Sequence, residues 1–341
     1  MKKKNLKFAV VGCGHIGKRH AAMIRRNAAC DLVALCDILP PEKTGCADFD
    51  LPYFLDLEEM LQAQTDLDAV CICTPNGLHA EQAIQCLSAK INVVIEKPMA
   101  LTKADCEAVI FKALNVNRRV FCVMQNRYSP PIKLLKGIVA ADRLGDILNV
   151  QISCYWNRDD RYYFPQGKKH GWHGDADLDG GVLFTQFSHF LDILYWCFGD
   201  VKNIRARMQN FLHEHSTAFA DTGIVSFDLV RGGMGSLSFS TAVWDKNAES
   251  SITVIGSCGT LKIGGQYMDK IEYCHIENYE LQPLPPSAPP NDYGHYKGSA
   301  ANHHYVIQNV VDVLQNEKET MTNALEGMKV TEIIERIYAA V

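Results

Sequence analysis

The chain has 341 residues, 47% of them hydrophobic, with 13 cysteines and a net charge of −5. That length exceeds what one core usually serves and predicts two domains, with acids and bases too evenly mixed for a nucleic-acid surface. No stretch approaches the roughly 20 apolar residues that cross a bilayer, and the scattered cysteines, odd in number and without a C-x-x-C pair, predict reduced thiols in a cytoplasmic protein.

The basic start, Met1-Lys-Lys-Lys-Asn-Leu-Lys7, resembles the charged end of a secretion signal but lacks the apolar segment and cleavage site that follow one. Next comes Phe8-Ala-Val-Val-Gly-Cys-Gly-His-Ile-Gly17, strand formers running into G-x-G-x-x-G. Gly12 permits the turn out of the strand, Gly14 admits a pyrophosphate against the backbone, and Gly17 lets the following helix pack closely. The phosphates would sit at a helix N-terminus, where free N–H groups and the helix dipole favour anions. Asp37 closes the next apolar run, where a carboxylate can accept from a ribose diol. It predicts NAD over NADP, because a 2′-phosphate would meet that charge. Arg25 and Arg26 lie in the preceding helix and offer no compensating cation there.

Through residue 125 strand and helix signals alternate. Strands are predicted at Lys7–Val11, Asp31–Cys36, Ala69–Cys73, Asn92–Ile95 and Val120–Met124. Helices are predicted around Ile16–Arg26, Asp56–Gln62, Leu78–Ala89 and Lys103–Asn115, the last capped by Thr102. Such alternation predicts a doubly wound parallel sheet, whose ligand crevice lies beyond the carboxyl ends of its strands. Thr74-Pro-Asn-Gly-Leu-His79 and Glu96-Lys97-Pro98 both fall at those ends.

Beyond about residue 145 the runs Ile147–Trp156, Asn203–Gln209, Thr222–Leu229, Gly235–Ala242, Ser251–Ile255 and Ile271–Ile276 read as strands of a mostly antiparallel open sheet. A single helix is predicted over about Gly181–Cys197, a surface linker at Pro283 to Pro290, and closing helices near His303–Gln315 and Asn323–Ala340. The expected organisation is a dinucleotide-binding α/β domain over 1–125 and an α+β substrate and oligomerisation domain over 126–341. The closing helices of the second are free to pack back on the first. An apolar outer face of the open sheet predicts a homo-oligomer, a dimer or tetramer.

Two places carry chemistry. Lys97 sits in a turn at the crevice, where a lysine beside a nicotinamide can shuttle a proton. On the predicted helix, Val182, Thr185, Gln186, His189 and Asp192 share a stripe that is polar within an otherwise apolar segment. His189 is there a candidate general acid or base. Arg158, Arg161, Lys168 and Lys169 place cationic donors close to the aromatic rings of Tyr162, Tyr163 and Trp172. His170, His173, Asp175 and Asp177 lack convincing ligand spacing, and no metal is expected.

The glycine motif, the Glu96-Lys97-Pro98 turn and the Gly-Gly…His189-Phe-Leu-Asp192 helix together resemble the glucose–fructose oxidoreductase/inositol dehydrogenase family, Gfo/Idh/MocA, over essentially the whole chain. Many members carry aspartate four residues before the histidine; here that position is Thr185, which speaks against a carboxylate relay from it. Trp156-Asn-Arg158…Tyr162-Tyr163, Gly171-Trp172 and Gln186-x-x-His189 resemble the bacterial UDP-N-acetyl-2-amino-2-deoxyglucuronate 3-dehydrogenases of O-antigen synthesis. Asn126-Arg127-Tyr128 and the segment from Asn291 to His303 share that likeness.

The resemblance implies a Rossmann domain and NAD-dependent oxidation of a sugar hydroxyl to a ketone. The substrate implied is a sugar or UDP-sugar, with 2-oxoglutarate as a reoxidant of bound NADH. Lys97 and His189 are implied as the catalytic pair, with the choice of base left open between them. The cofactor would be held by Gly12, Gly14, His15, Ile16, Gly17, Asp37, Thr74, Pro75, Asn76, His79, Glu96, Lys97 and Gln125. Substrate would be held by Lys97, Asn126, Arg127, Arg158, Tyr163, Trp172, Thr185, Gln186 and His189. A free sugar, a cyclitol, another nucleotide sugar and a non-catalytic NAD(H)-binding regulator are the alternatives.

Overall fold

The computed structural model describes residues 4–164, 171–294, 296–315 and 318–341. Two compact units emerge: Met1–Met124 with His303–Thr331, and Gln125–Asn302 with Glu332–Val341.

The first unit runs β1 (Leu6–Val11), α1 (His15–Arg26), β2 (Cys30–Cys36), α2 (Pro41–Thr44), β3 (Tyr53–Phe54), α3 (Leu57–Ala63), β4 (Ala69–Ile72), α4 (His79–Ser88), β5 (Asn92–Ile95), α5 (Lys103–Asn115) and β6 (Val120–Cys122). All six strands pair in parallel, in the order β3-β2-β1-β4-β5-β6. The order reverses between β1 and β4, which is where a crevice opens in such a sheet. Strands buried on both faces need continuous apolar runs, and β4 (Ala-Val-Cys-Ile) is wholly buried. Ala9, Val70, Val93 and Ile95 share one core with Ala83, Leu87, Cys106 and Val109 of the helices. The Thr102 cap forms as the sequence predicts, its hydroxyl accepting from Asp105 N–H at 3.0 Å.

The second unit contains α6 (Pro130–Ala140), β7 (Ile147–Tyr155), α7 (Asp160–Tyr163), α8 (Val182–Thr185), α9 (Ser188–Phe198), β8 (Val201–Gln209), β9 (Thr222–Leu229), β10 (Met234–Ser240), β11 (Glu249–Gly256), β12 (Gly259–Gly264), β13 (Lys270–Ile276), β14 (Pro290–Asp292) and β15 (Lys297–Ala300). Seven of these strands form one sheet, β13-β12-β11-β7-β10-β9-β8, antiparallel except for the β7–β10 pair. Two helices close the chain, α10 (His303–Leu314) and α11 (Ala324–Tyr338).

Two expectations are corrected. The single helix over Gly181–Cys197 is two, because the Phe187 N–H bonds the Val182 carbonyl five residues back and the backbone leaves the helix there. Phe187 is there fully buried against Trp156, Phe190 and Phe239, with ring centroids 5.5, 6.2 and 5.7 Å away. The expected apolar outer face of the open sheet is mostly hydroxyls and amides: Gln151, Ser153, Ser226, Ser236, Ser238 and Thr253 alternate with the buried positions, and Ile224, Met234 and Ile255 interrupt them.

Candidate active site

Within the first unit, the glycines of the β1–α1 turn divide their duties by geometry. Gly12 has φ +85°, and a Cβ there would stand 2.6 Å from the Cys73 carbonyl, so only glycine lets this turn touch the loop after β4. A Cβ on Gly17 would lie 1.8 Å from the Gly12 carbonyl oxygen, which makes close packing of α1 depend on it. Gly14 differs: its Cβ position meets no protein atom within 4 Å. That glycine keeps open the approach to the N-terminus of α1, where His15 is exposed and Ile16 half-buried. Open space thus meets the first turn of α1, the end of a helix that favours an anion such as a pyrophosphate.

Asp37 holds this loop. Its Oδ2 accepts from Cys13 N–H at 2.7 Å and its Oδ1 from Leu39 N–H at 2.9 Å. A carboxylate has about four acceptor sites, so two are left for a ribose diol. In the loop after β4, Thr74 Oγ1 donates to Gln82 Oε1 at 2.6 Å, Pro75 precedes a 3₁₀ turn at Asn76–Leu78, and Asn76 is buried. The buried His79 imidazole bridges the Pro98 carbonyl (2.7 Å) and the Thr74 carbonyl (2.9 Å). Burial pushes its pKa down, against the raising effect of both carbonyls.

The Glu96-Lys97-Pro98 turn follows β5, and the Lys97–Pro98 bond is cis. Glu96 was expected to touch cofactor; its carboxylate is instead 7% exposed and turned inward. Oε1 lies 2.8 Å from His20 Nε2 and 3.4 Å from His303 Nε2, and Oε2 accepts from Lys97 N–H at 3.2 Å. Burial alone would raise the Glu96 carboxyl, but the two imidazoles hold it well below the usual carboxylate range. Neither histidine was singled out in the sequence. The available signal was the spacing G-x-G-x-x-G-x-x-His20.

Within the second unit, α8 and α9 present Thr185, Gln186 and His189. His189 is 2% exposed, on the first turn of α9. Gln186 Nε2 donates to Tyr162 Oη at 3.2 Å. Thr185 carries the missed carboxylate contact: its hydroxyl donates to Asp179 Oδ1 and lies 3.1 Å from the Asp179 carbonyl. Asp179 is fully buried, and its Oδ2 accepts from Gly174 N–H at 2.9 Å. A buried carboxylate thus stands one hydrogen bond from Thr185.

Gln125 and Asn126 lie in the 3₁₀ turn Gln125–Tyr128 and are buried, with Gln125 Oε1 and Asn126 Oδ1 accepting nothing. Arg127, expected at substrate, is fully buried and clamps Asp192 with Nε at 2.8 Å and Nη2 at 2.6 Å. Its charge is spent inside the unit, joining the 3₁₀ turn to α9. Arg158 is 3% exposed, with its guanidinium 4.9, 5.4 and 4.7 Å from the Trp156, Tyr162 and Tyr296 rings. Nη2 donates to the Lys297 carbonyl at 3.1 Å, and burial pulls the pKa down. Tyr163 is 1% exposed and packs on Tyr162. Trp172 is half-buried, its ring 4.1 Å from that of His173, which in turn lies 4.4 Å from Tyr162. Arg161 pairs with Asp159 and Asp245 at the surface. Asp175 Oδ1 accepts from the N–H groups of Asp177 and Leu178, capping its own turn. Lys168, Lys169 and His170 lie outside the described residues.

Comparison with known proteins adds the following. Residues 6–123 match the GFO/IDH/MocA family model for an oxidoreductase family with an NAD-binding Rossmann fold, and residues 132–262 match a GFO/IDH/MocA C-terminal domain. The WlbA dehydrogenase of Bordetella pertussis, solved in complex with NADH and UDP-GlcNAcA, is similar with a TM-score of 0.86 and 29% identity, over 99% of this chain and 96% of that one. Glucose-6-phosphate 3-dehydrogenase of Bacillus subtilis is 25% identical over 208 residues, 59% of this chain and 57% of the relative. Inositol 2-dehydrogenase of Salmonella typhimurium is 26% identical over the same shares. The matched stretch thus spans little more than half the length of these curated relatives.

Proposed function

This chain belongs to the Gfo/Idh/MocA family of NAD-dependent oxidoreductases, and on that basis we propose that it oxidises the C3 hydroxyl of a UDP-linked, N-acetylated amino-sugar uronate in lipopolysaccharide O-antigen synthesis. The observation that carries the choice of substrate is the similarity along nearly the whole chain to a dehydrogenase solved with NADH and UDP-GlcNAcA. The buried Arg158 cage, Trp172 and the Gln186–Tyr162 contact are residue types suited to a nucleotide sugar, which supports the same reading.

NAD⁺, when bound, supplies the acceptor for the C3 hydride. Gly12, Gly14 and Gly17 would receive its pyrophosphate and Asp37 its adenosine ribose, as their geometry allows. This chain's own residues handle the proton. Either Lys97 or His189 accepts it from the hydroxyl, and the Lys97 ammonium donates a hydrogen bond to the oxygen as it gains carbonyl character. Thr185, backed by Asp179, orients the substrate beside His189. A cytoplasmic location and reoxidation of NADH by 2-oxoglutarate complete the proposal.

The test is incubation of the purified protein with NAD⁺, 2-oxoglutarate and, in separate reactions, a panel of UDP-sugars, glucose 6-phosphate and inositol. Sustained turnover with UDP-GlcNAcA and not with UDP-GlcNAc supports the reading. Turnover only with glucose 6-phosphate or inositol would transfer it to the chemistry of the shorter-matching relatives. NADH binding without turnover on any sugar would mark a regulator.

A further inference from the structure

We infer that His20 and Glu96, with His303 beside them, form a buried clamp that positions Lys97 for proton transfer. The inference rests on Lys97 acting at the reacting centre.

The turn that carries Lys97 is held on both sides by groups from other elements. Before it, Glu96 Oε1 lies 2.8 Å from His20 Nε2 of α1 and 3.4 Å from His303 Nε2 at the start of α10. The same carboxylate returns through Oε2 to the Lys97 N–H at 3.2 Å. After it, the Pro98 carbonyl is bound by His79 at 2.7 Å. His20 and His303 meet edge to face, ring centroids 5.5 Å apart, and both are almost wholly buried.

The three side chains also satisfy the spacing of a metal site. The 2.8 Å separation of Glu96 Oε1 and His20 Nε2 favours a hydrogen bond, since two ligands about 2.05 Å from one tetrahedral ion stand about 3.3 Å apart. A buried carboxylate needs such partners, because an unpaired charge there is costly. Each contact serves the backbone at Lys97. Through His20 the carboxylate also ties that backbone to α1, the helix whose N-terminus would receive the cofactor phosphates. Lys97 is thereby fixed relative to the helix that seats the cofactor, and misplacement by an ångström is enough to cost a large part of a rate.

The experiment compares Glu96→Gln, His20→Ala and His20→Gln with wild type and with Lys97→Met, using UDP-GlcNAcA, NAD⁺ and 2-oxoglutarate. Glu96→Gln and His20→Ala are expected to lower kcat at least tenfold, while KM for UDP-GlcNAcA and Kd for NADH stay within threefold. His20→Gln, which keeps an N–H donor, should recover most of the loss. If Glu96→Gln does not fold, the two His20 variants decide the matter alone. Wild-type kcat in the foldable variants overturns the clamp, as does a loss that follows NADH affinity. An active Lys97→Met overturns the catalytic reading itself, a result separable from the other two.

Discussion

At Asp37 one carboxylate orders the glycine loop through Cys13 N–H and offers its remaining acceptor sites to a ribose. Asp37→Asn keeps an acceptor for the loop and removes the charge that repels a 2′-phosphate. The expected result is a fall of at least tenfold in the ratio of NAD⁺ to NADP⁺ affinity, read by titration calorimetry. An unchanged ratio would show that another group makes the choice. At Lys97 the proposed role is chemical. Lys97→Met should lower kcat by roughly 10²–10⁴-fold, the contribution of a positioned acid or base, with NADH binding within threefold of wild type. Asp179 was not assigned a role from the sequence, yet its contact with Thr185 predicts a partial defect: Asp179→Asn should raise KM for the sugar more than it lowers kcat. Unchanged kinetics in that variant would make the pair purely structural.

Among the elements, the 3₁₀ turn at Gln125–Tyr128 is fastened to α9 by the fully buried Arg127–Asp192 pair. Removing one partner of such a pair leaves an uncompensated charge, so Arg127→Ala should cost about 3–5 kcal/mol, read as a lowered urea midpoint. A midpoint within error of wild type would restore the expectation that Arg127 serves a ligand. The parallel sheet was legible because strands buried on both faces are continuous apolar runs, and glycine spacing marks the turn after β1. Where two demands compete, legibility fails. Phe187 belongs to a helical pattern by residue type, yet its N–H reaches the Val182 carbonyl five residues back and the helix is interrupted there. Arg127 looked like an anion ligand, since sequence shows charge and not the partner that satisfies it. His20 and His303, 283 positions apart in the chain, meet at Glu96 only through the fold. The two-residue β3 escaped because so short a run shows no period, and β12 because a glycine stands at each end of it.

For the whole molecule, buried ionisable groups set how stability responds to acid. Burial lowers the pKa of His79 and His303, so the unfolded chain binds protons that the folded one refuses. Their contribution is present above about pH 6.5 and is lost as pH falls below it. Glu96 is held well below its ordinary value of 4.5, so its contribution persists above that value and fades beneath it. All three act in one direction. The melting temperature should decline from pH 7 to pH 4, and less steeply at the acid end in Glu96→Gln; a flat profile would mean these groups titrate alike in both states.

The central claim is hydride removal from C3 of a UDP-linked uronate, and the most direct measurement uses UDP-GlcNAcA carrying deuterium at C3. Incubation with the protein and NAD⁺, followed by mass spectrometry of the nicotinamide product, should show NADD and a 3-keto sugar that has lost its label. Label retained in the sugar while NADH forms, or no reduced cofactor at all, would contradict it.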